Sequence, residues 1–425
     1  MTTQRRNRRP SRRAQIRRRR IVAGVAGVVV VLIVIGVLGG FSGVFGNSTS
    51  SHNTSGSTSA TDSASWPTFG NTPQNTRANT AASSALPLRT LWTTDTGQLI
   101  ELPPVIGDGR VIVGNYGYAL GIDLYNGAIL WKRAAGAYIA ASPALTGLPH
   151  TASAGQPQRA IFATMAGHVL ALDPGTGAVV WDVSLGSSIE TSPLVLGDGI
   201  FVGTRAGQVV RISLTTHQIV WKVQTGASVK GAIAESGSDI VFGNYAGQVT
   251  ALNPANGALV WRTTDPGGTS SGPGRFYGAA AVASGRIFIG NTNGSVLALN
   301  AATGAVEWTQ LTGSYVYSSP AVADGMVFIG SYDHYLYAFN AATGHLVWRH
   351  SLGAPISGSP AVIGTSVWIA TLGATDASGH TYALSVTTGR VELTRPAGRF
   401  AAPVAIPGFI VDAELGTVSA LAPAK

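Results

Sequence analysis

Seven tryptophans, Trp92, Trp131, Trp181, Trp221, Trp261, Trp308 and Trp348, recur along this chain at one fixed place in a repeated segment, and Leu393 stands at an eighth such place. The spacing is close to 40 residues, lengthened by insertions in the second, fifth and seventh units. Ser318 to Trp348 shows one unit in full. An apolar run (Pro320 to Ala323) turns at Asp324-Gly325 into a β-branched and aromatic run (Met326 to Ile329). A second turn leads to Tyr335 to Phe339, and Thr343-Gly344 leads to the closing Trp348. Asp-Gly and Thr-Gly between such runs signal hairpins, because glycine supplies the positive φ of a tight turn. Four antiparallel strands in a period near 40 residues predict a β-propeller blade. The last unit, Pro403 to Leu421, stops after three strands, whereas Leu88 to Thr94 is a lone fourth strand. Joining them removes two open sheet edges that would invite aggregation. The expected fold is all-β: an eight-bladed propeller with four-stranded blades, the last closed by an N-terminal strand.

The formal charge of +9 points to nucleic acid or membrane until it is located. Ten arginines lie within residues 1–20, and the rest of the chain carries 18 basic against 19 acidic groups. A nearly neutral folded part gives no basis for a nucleic-acid partner. Residues 1–20 read as a basic cytoplasmic tail. Ile21 to Phe41 contains no charged residue and, as a helix, reaches about 31 Å, enough to cross a hydrocarbon core of about 30 Å. A cleaved signal peptide has a shorter apolar region and a small-residue cleavage site, which this segment lacks. One transmembrane helix, with the arginines inside and all that follows outside, is therefore expected. Residues 42–65 are Ser/Thr-rich and read as a linker, with 66–425 as the propeller. The expected location is the cell membrane of a bacterial envelope, single-pass, with the propeller extracytoplasmic. Trp66-Pro67-Thr68-Phe69 through Thr76-Arg77 reads as a lead-in packed along the propeller rim.

Units such as Ala171 to Trp181 (A-L-D-P-G-T-G-A-V-V-W) and Ala338 to Trp348 (A-F-N-A-A-T-G-H-L-V-W) resemble the Trp-docked repeats of pyrroloquinoline-quinone (PQQ) quinoproteins and of non-catalytic propellers such as the outer-membrane assembly lipoprotein BamB. The resemblance covers Trp66 to Leu421 and includes the W-P-x-F lead-in with Thr76-Arg77. It implies that each indole stacks on the neighbouring blade, so the seven tryptophans are read as structural docking residues. On the same reading Leu393 keeps apolar volume without the stack, and Thr216-His217, in place of Thr-Gly, predicts a different turn in the third unit.

Chemistry should lie where antiparallel strands end on one face. Three residues before the strand-opening positions stand Glu101, Glu190, Lys230, Tyr277 and Tyr317, and the second-to-third turns of that face carry Tyr116, Met165, Arg205, Tyr245, Thr292 and Tyr332. The Trp-to-opening spacing is 12 residues in six units, which fixes one slot per blade. Glu101, Glu190, Lys230, Tyr277, Tyr317 and Arg205 are therefore expected to ring one channel mouth and to contact a protein, peptide or glycan partner.

An enzyme is the competing reading. By the resemblance, PQQ-dependent alcohol or sugar dehydrogenases use an Asp base, a Ca²⁺ held by acidic and amide oxygens, and in many members adjacent cysteines beneath the quinone. This chain has no cysteine, and no Asp falls among the inner-ring positions. Asp333-His334 reads as rim, and His168 and His380 as positional rather than a metal pair. The sequence favours a binding or scaffolding module with no catalytic residue, metal or cofactor, and PQQ with Ca²⁺ is the alternative.

Overall fold

The computed structural model describes residues 64–424 except 84, 150, 268–272, 374–378 and 397. The basic tail, the expected span and the linker up to residue 63 lie outside the described residues. The expected blade pattern is present. Blade 1 is Val105–Gly107, Arg110–Gly114, Tyr118–Asp123 and Ile129–Ala134, and the first strands of blades 2 to 7 are Ala144–Thr146, Leu194–Leu196, Ala234–Ser236, Ala281–Ala283, Ala321–Ala323 and Ala361–Ile363. Blade 8 combines Val404–Ile406, Phe409–Glu414 and Thr417–Pro423 with the N-terminal strand Leu88–Asp95, which runs antiparallel to the last of these with Leu88 opposite Pro423 and Trp92 opposite Ala420.

The turn chemistry explains the repeat. At the end of a third strand Asn340 Oδ1 accepts the N–H groups of Ala342 (3.0 Å) and Thr343 (2.9 Å) and the Thr343 hydroxyl (3.0 Å). Such side-chain caps satisfy backbone donors that a tight turn leaves free. Gly344 then takes a left-handed φ of 72°, and its missing Cβ leaves room for the indole of Trp308 from the preceding blade. The Trp308 Nε1–H donates to the Ala341 carbonyl at 3.1 Å. Trp92, Trp131, Trp221, Trp261 and Trp348 donate in the same way to Leu124, Pro174, Pro254, Ala301 and Val386. Between each pair of blades the second strands contribute buried aliphatic and aromatic residues to a common cluster, as Phe288 with Ile329 and Phe328 with Ile369. Burying a large apolar side chain is worth roughly 1.5–3 kcal/mol, so the seams supply most of the driving force.

Two expectations fail. In blade 3 the turn at Thr216-His217 is the same turn: the His217 N–H reaches the Ser213 carbonyl at 2.9 Å, as Gly177 reaches Asp173 at 2.8 Å, and His217 adopts φ 62°. Histidine is among the residues that tolerate this region, so the sequence change did not require a new turn.

The second failure concerns the lead-in, which occupies the propeller axis and not the rim. Trp66 exchanges both backbone bonds with Ile106 of blade 1, and the carbonyls of Pro67, Pro73, Gln74, Thr76 and Arg77 accept the N–H groups of Leu145, Glu235, Val282, Val322 and Val362 at 2.8 or 2.9 Å. Ala78–Asn79 adds a short parallel strand to blade 7, and Asn79 Nδ2 donates to Ala405 of blade 8. The physical reason is that the three-residue first strands turn their middle N–H groups toward the axis, where a backbone must pair them. Side chains of the lead-in reach toward the entrance end of those strands. Asn75 Nδ2 donates to the Ile233 and Ala280 carbonyls, and Arg77 to Ser359 and Pro360.

Candidate functional site

The connection entering each blade and that blade's own second-to-third turn are pinned together on one face. The backbone N–H groups of Tyr116, Met165, Arg205, Tyr245, Thr292, Tyr332 and Leu372 donate to the carbonyls of Leu99, Tyr138, Ser188, Ser228, Arg275, Tyr315 and Pro355, all between 2.8 and 3.2 Å. Within each connection the residue four before the strand opening is apolar and buried: Ile100, Ile139, Ile189, Val229, Phe276, Val316 and Ile356 are at most 2% exposed. Extended chain alternates its side chains. The residues on either side of that anchor therefore turn the other way, to the mouth.

Five of the six expected residues form a continuous chain of contacts across blades 3 to 6. Glu190 Oε2 pairs with Lys230 Nζ at 2.6 Å and Oε1 with Arg205 Nε at 3.3 Å. Lys230 Nζ lies 5.2 Å from the centre of the Tyr277 ring and 5.4 Å from that of Tyr245. Tyr277 meets Tyr317 edge-on with centroids 4.9 Å apart, and Tyr317 meets Tyr332 at 4.9 Å. Glu101 stands apart from this arc, accepting the Tyr116 hydroxyl at 2.9 Å. It still acts across the mouth: burial raises the Tyr277 hydroxyl above the usual phenol range, and the Glu190 and Glu101 carboxylates add to the rise. Burial likewise pushes Tyr116 up to about 12, and raises Tyr245 and Tyr317. These hydroxyls are neutral donors at physiological pH.

Sequence reasoning missed Tyr138, Arg275 and Tyr315. Tyr138 lies against Tyr116 with centroids 4.0 Å apart, Tyr315 is 6.1 Å from Tyr317, and the Arg275 guanidinium lies 5.5 Å from the Tyr245 ring. All three stand five residues before a strand opening, and counting two back from the chosen slots past the apolar anchor would have found them. Asp333 is structural: it accepts the Tyr337 hydroxyl and the Gly313 N–H, both at 2.6 Å. His168 pairs with Asp182 at 2.7 Å. Beneath the mouth, Arg77 is fully buried, donates also to the Phe69 carbonyl at 2.9 Å, and lies over the Phe69 ring at 4.5 Å. Burial lowers it to about 9, so it remains a cation at neutral pH. The lead-in thus gives the mouth a floor.

The sequence profile of a family described as the outer membrane protein assembly factor BamB matches residues 118–272 and 245–402, two overlapping stretches that together cover most of the propeller. The chain belongs to this family. Among solved structures, BamB from Moraxella catarrhalis is 21% identical with a TM-score of 0.64, over 79% of this chain and 100% of that one. The computationally designed Ika8 protein is 16% identical with a TM-score of 0.65, over 79% and 99%. The quinohemoprotein alcohol dehydrogenase from Comamonas testosteroni is 13% identical with a TM-score of 0.67, over 86% and 81%. At these identities the likeness shows the propeller alone. No curated protein matches significantly.

Membership of the BamB family leaves PQQ and Ca²⁺ to be tested on the residues. A hard cation needs several oxygen ligands from converging carboxylates and amides. Among the described residues no three acidic or histidine side chains converge, Glu190 is engaged by two cations, and Glu101 is held by Tyr116. The two mouth carboxylates, Glu190 and Glu101, are thus held apart by other partners and do not converge as a calcium-quinone centre requires.

Proposed function

We propose that this BamB-family protein is a membrane-anchored, extracytoplasmic propeller that binds a protein partner at the mouth and acts as a scaffold. The observation that carries this reading is the arc from Arg205 and Glu190 through Lys230 and Tyr277 to Tyr317, built by four successive blades on one face over the axial lead-in. Tyrosine and arginine dominate binding surfaces because they combine a large contact area with a polar tip. The turns of the opposite face are made of short capped Asp, Asn and Thr loops that repeat from blade to blade. Residues 21–41 would hold the propeller at the membrane, with the arginine-rich tail inside.

Two experiments test this. A photoreactive phenylalanine analogue in place of Tyr277 or Tyr315 in the full-length protein should give one discrete covalent adduct in cells. The same analogue at Tyr125, 68% exposed in a third-to-fourth turn on the other face, should not. Equal labelling from both faces would overturn the mouth as binding face. A phosphatase fused after Lys425 should be active only outside the cytoplasm, and activity confined to the cytoplasm would overturn the topology.

A further inference from the structure

We infer that the mouth takes an acidic segment of its partner, a stretch of polypeptide in which carboxylates alternate with aromatic or other apolar side chains. The inference rests on the reading of the mouth as the binding face and adds the chemistry of what enters it.

The charges of the mouth do not balance. In the sector of blades 3 to 5, Arg205, Lys230 and Arg275 face a single surface carboxylate, Glu190, and its two oxygens are already divided between Lys230 and Arg205. Arg205 makes that contact through Nε, and with 44% of its side chain exposed it leaves the fork of the guanidinium to solvent. Arg275 is exposed, rests on the Tyr245 ring and pairs with no carboxylate among the described residues. Of the nearest other acids, Asp265 is buried with its Oδ2 taken by Asn291, Asn293 and the Ser295 hydroxyl, and Glu235 lies on the axis, where it accepts Gln74 Nε2 at 2.7 Å, so neither compensates the mouth surface. Arg77 adds a buried cation on the axis below. Beyond residue 20 the chain is almost neutral, with 18 basic and 19 acidic groups, so this excess is a local feature. A guanidinium held beside an aromatic ring without a carboxylate partner keeps its planar fork available to a bidentate carboxylate.

The shape selects a polypeptide. From Lys230 the arc continues as a tyrosine wall, Tyr277, Tyr317 and Tyr332, in steps of 4.9 Å. On the far side the Glu101 carboxylate, which accepts the Tyr116 hydroxyl, and the Arg399 guanidinium both act on Tyr116, so that side presents no excess of cations. A nucleic acid, which places a phosphate at every step, meets cations along only part of this path. A peptide with acidic and apolar side chains matches both halves.

The test uses the full-length protein in detergent micelles and three labelled decapeptides, alternating Glu and Tyr, Gln and Tyr, or Lys and Tyr, read by fluorescence anisotropy. The Glu/Tyr peptide should bind, and Arg275→Glu or Arg205→Glu should weaken it about tenfold or more, as expected for loss of a charged hydrogen bond. Raising salt from about 50 to about 500 mM should weaken it as well. Arg89→Glu, on the outer strand of blade 8, should change nothing. Equal binding of the Gln/Tyr peptide, lost in Tyr277→Ala but indifferent to Arg275→Glu, would overturn the acidic inference and leave the binding face intact. Preference for the Lys/Tyr peptide, or binding of none of the three while the Tyr277 crosslink forms in cells, would overturn it too. A single-stranded oligonucleotide that competes as well as the Glu/Tyr peptide would reassign the mouth to polyanions in general. Absence of both peptide binding and the crosslink would remove the underlying reading as well.

Discussion

The imidazole of His217 stacks on the indole of Trp181 across the seam between blades 2 and 3, with ring centroids 5.2 Å apart and planes 25° apart. Elsewhere a glycine stands at this place and the indole lies directly on its backbone. His217 keeps the turn and adds a second ring, at the cost of a left-handed backbone. His217→Gly relieves that backbone and loses an aromatic contact worth about 0.5–1.5 kcal/mol, so stability should change little. His217→Ala loses the contact and keeps the strain, and should be the less stable of the two, the reverse of the usual order for these residues. Urea unfolding of both variants decides it. The pH dependence has a definite sign. Burial depresses the His217 pKa below 6.5, with Arg159 adding to the effect. Its contribution is therefore complete above 6.5 and is lost as pH falls below that value, because the unfolded chain then binds the proton first. The parent should lose this increment in mild acid, and His217→Gly should not.

The repeats were legible because each docking tryptophan needs one glycine, or one tolerant residue, at a fixed distance, and a sequence cannot hide that coupling. The closure of blade 8 was legible from its missing fourth strand. The place of Leu393 now has a reason: a docking indole rests on the third-to-fourth turn of the next blade, and blade 8, closed by a strand from the other end of the chain, has no such turn. The axial lead-in was not legible. Its partners are backbone groups of seven blades, which no side-chain pattern encodes. At the mouth, the period of the blades located Glu190, Lys230 and Tyr277, and the period of two within each connection, set by anchors such as Val229 and Phe276, would have added Arg275.

Gly304 and Gly325 separate room from backbone conformation. Their φ values are 71° and 70°, but a Cβ on Gly304 would collide with the Trp261 indole, whereas one on Gly325 meets nothing within 4 Å. Gly325→Ala should cost about 1–2 kcal/mol, the penalty of the left-handed backbone alone. Gly304→Ala must in addition displace the indole, adding about 1–3 kcal/mol of overpacking. Equal denaturation midpoints for the two variants would show that the indole yields without cost.

Arg77 ties the lead-in to the ring. Its guanidinium serves the carbonyls of Phe69, Ser359 and Pro360 and has no exposed surface. Arg77→Ala should destabilise the propeller by about 3–5 kcal/mol, combining a cavity with carbonyls left unpaired. Arg77→Lys should recover little, because an ammonium cannot reproduce the fork. The measurement is unfolding monitored by tryptophan fluorescence, and wild-type stability in Arg77→Ala would mean that the backbone pairing of Trp66 to Asn79 alone closes the axis.

The seam between blades 7 and 8 departs from the others in two matched positions. Where Phe328 and Ile369 meet in the preceding seam, and Phe288 and Ile329 in the one before, the register places Trp368 and Asp412. Trp368 is 0% and Asp412 1% exposed, and among the described residues no hydrogen bond of sound geometry reaches the indole N–H or either carboxylate oxygen. Burial and the neighbouring Glu414 carboxylate raise the Asp412 pKa well above the usual carboxylate range, against a smaller opposing effect of Arg395. With the folded value above the unfolded value of 3.8, the stabilising contribution is complete below that value and is lost as pH rises through the folded pKa. Asp412→Asn removes the ionisation, so it should unfold at higher urea than the parent at about pH 8, by about 1–3 kcal/mol for an unsatisfied buried group, and should show no such gain at about pH 4. The double variant Trp368→Phe, Asp412→Ile, which restores the chemistry of the neighbouring seams, should share the gain at pH 8. Parent and Asp412→Asn curves that run parallel across this range would show that Asp412 does not titrate in the folded protein.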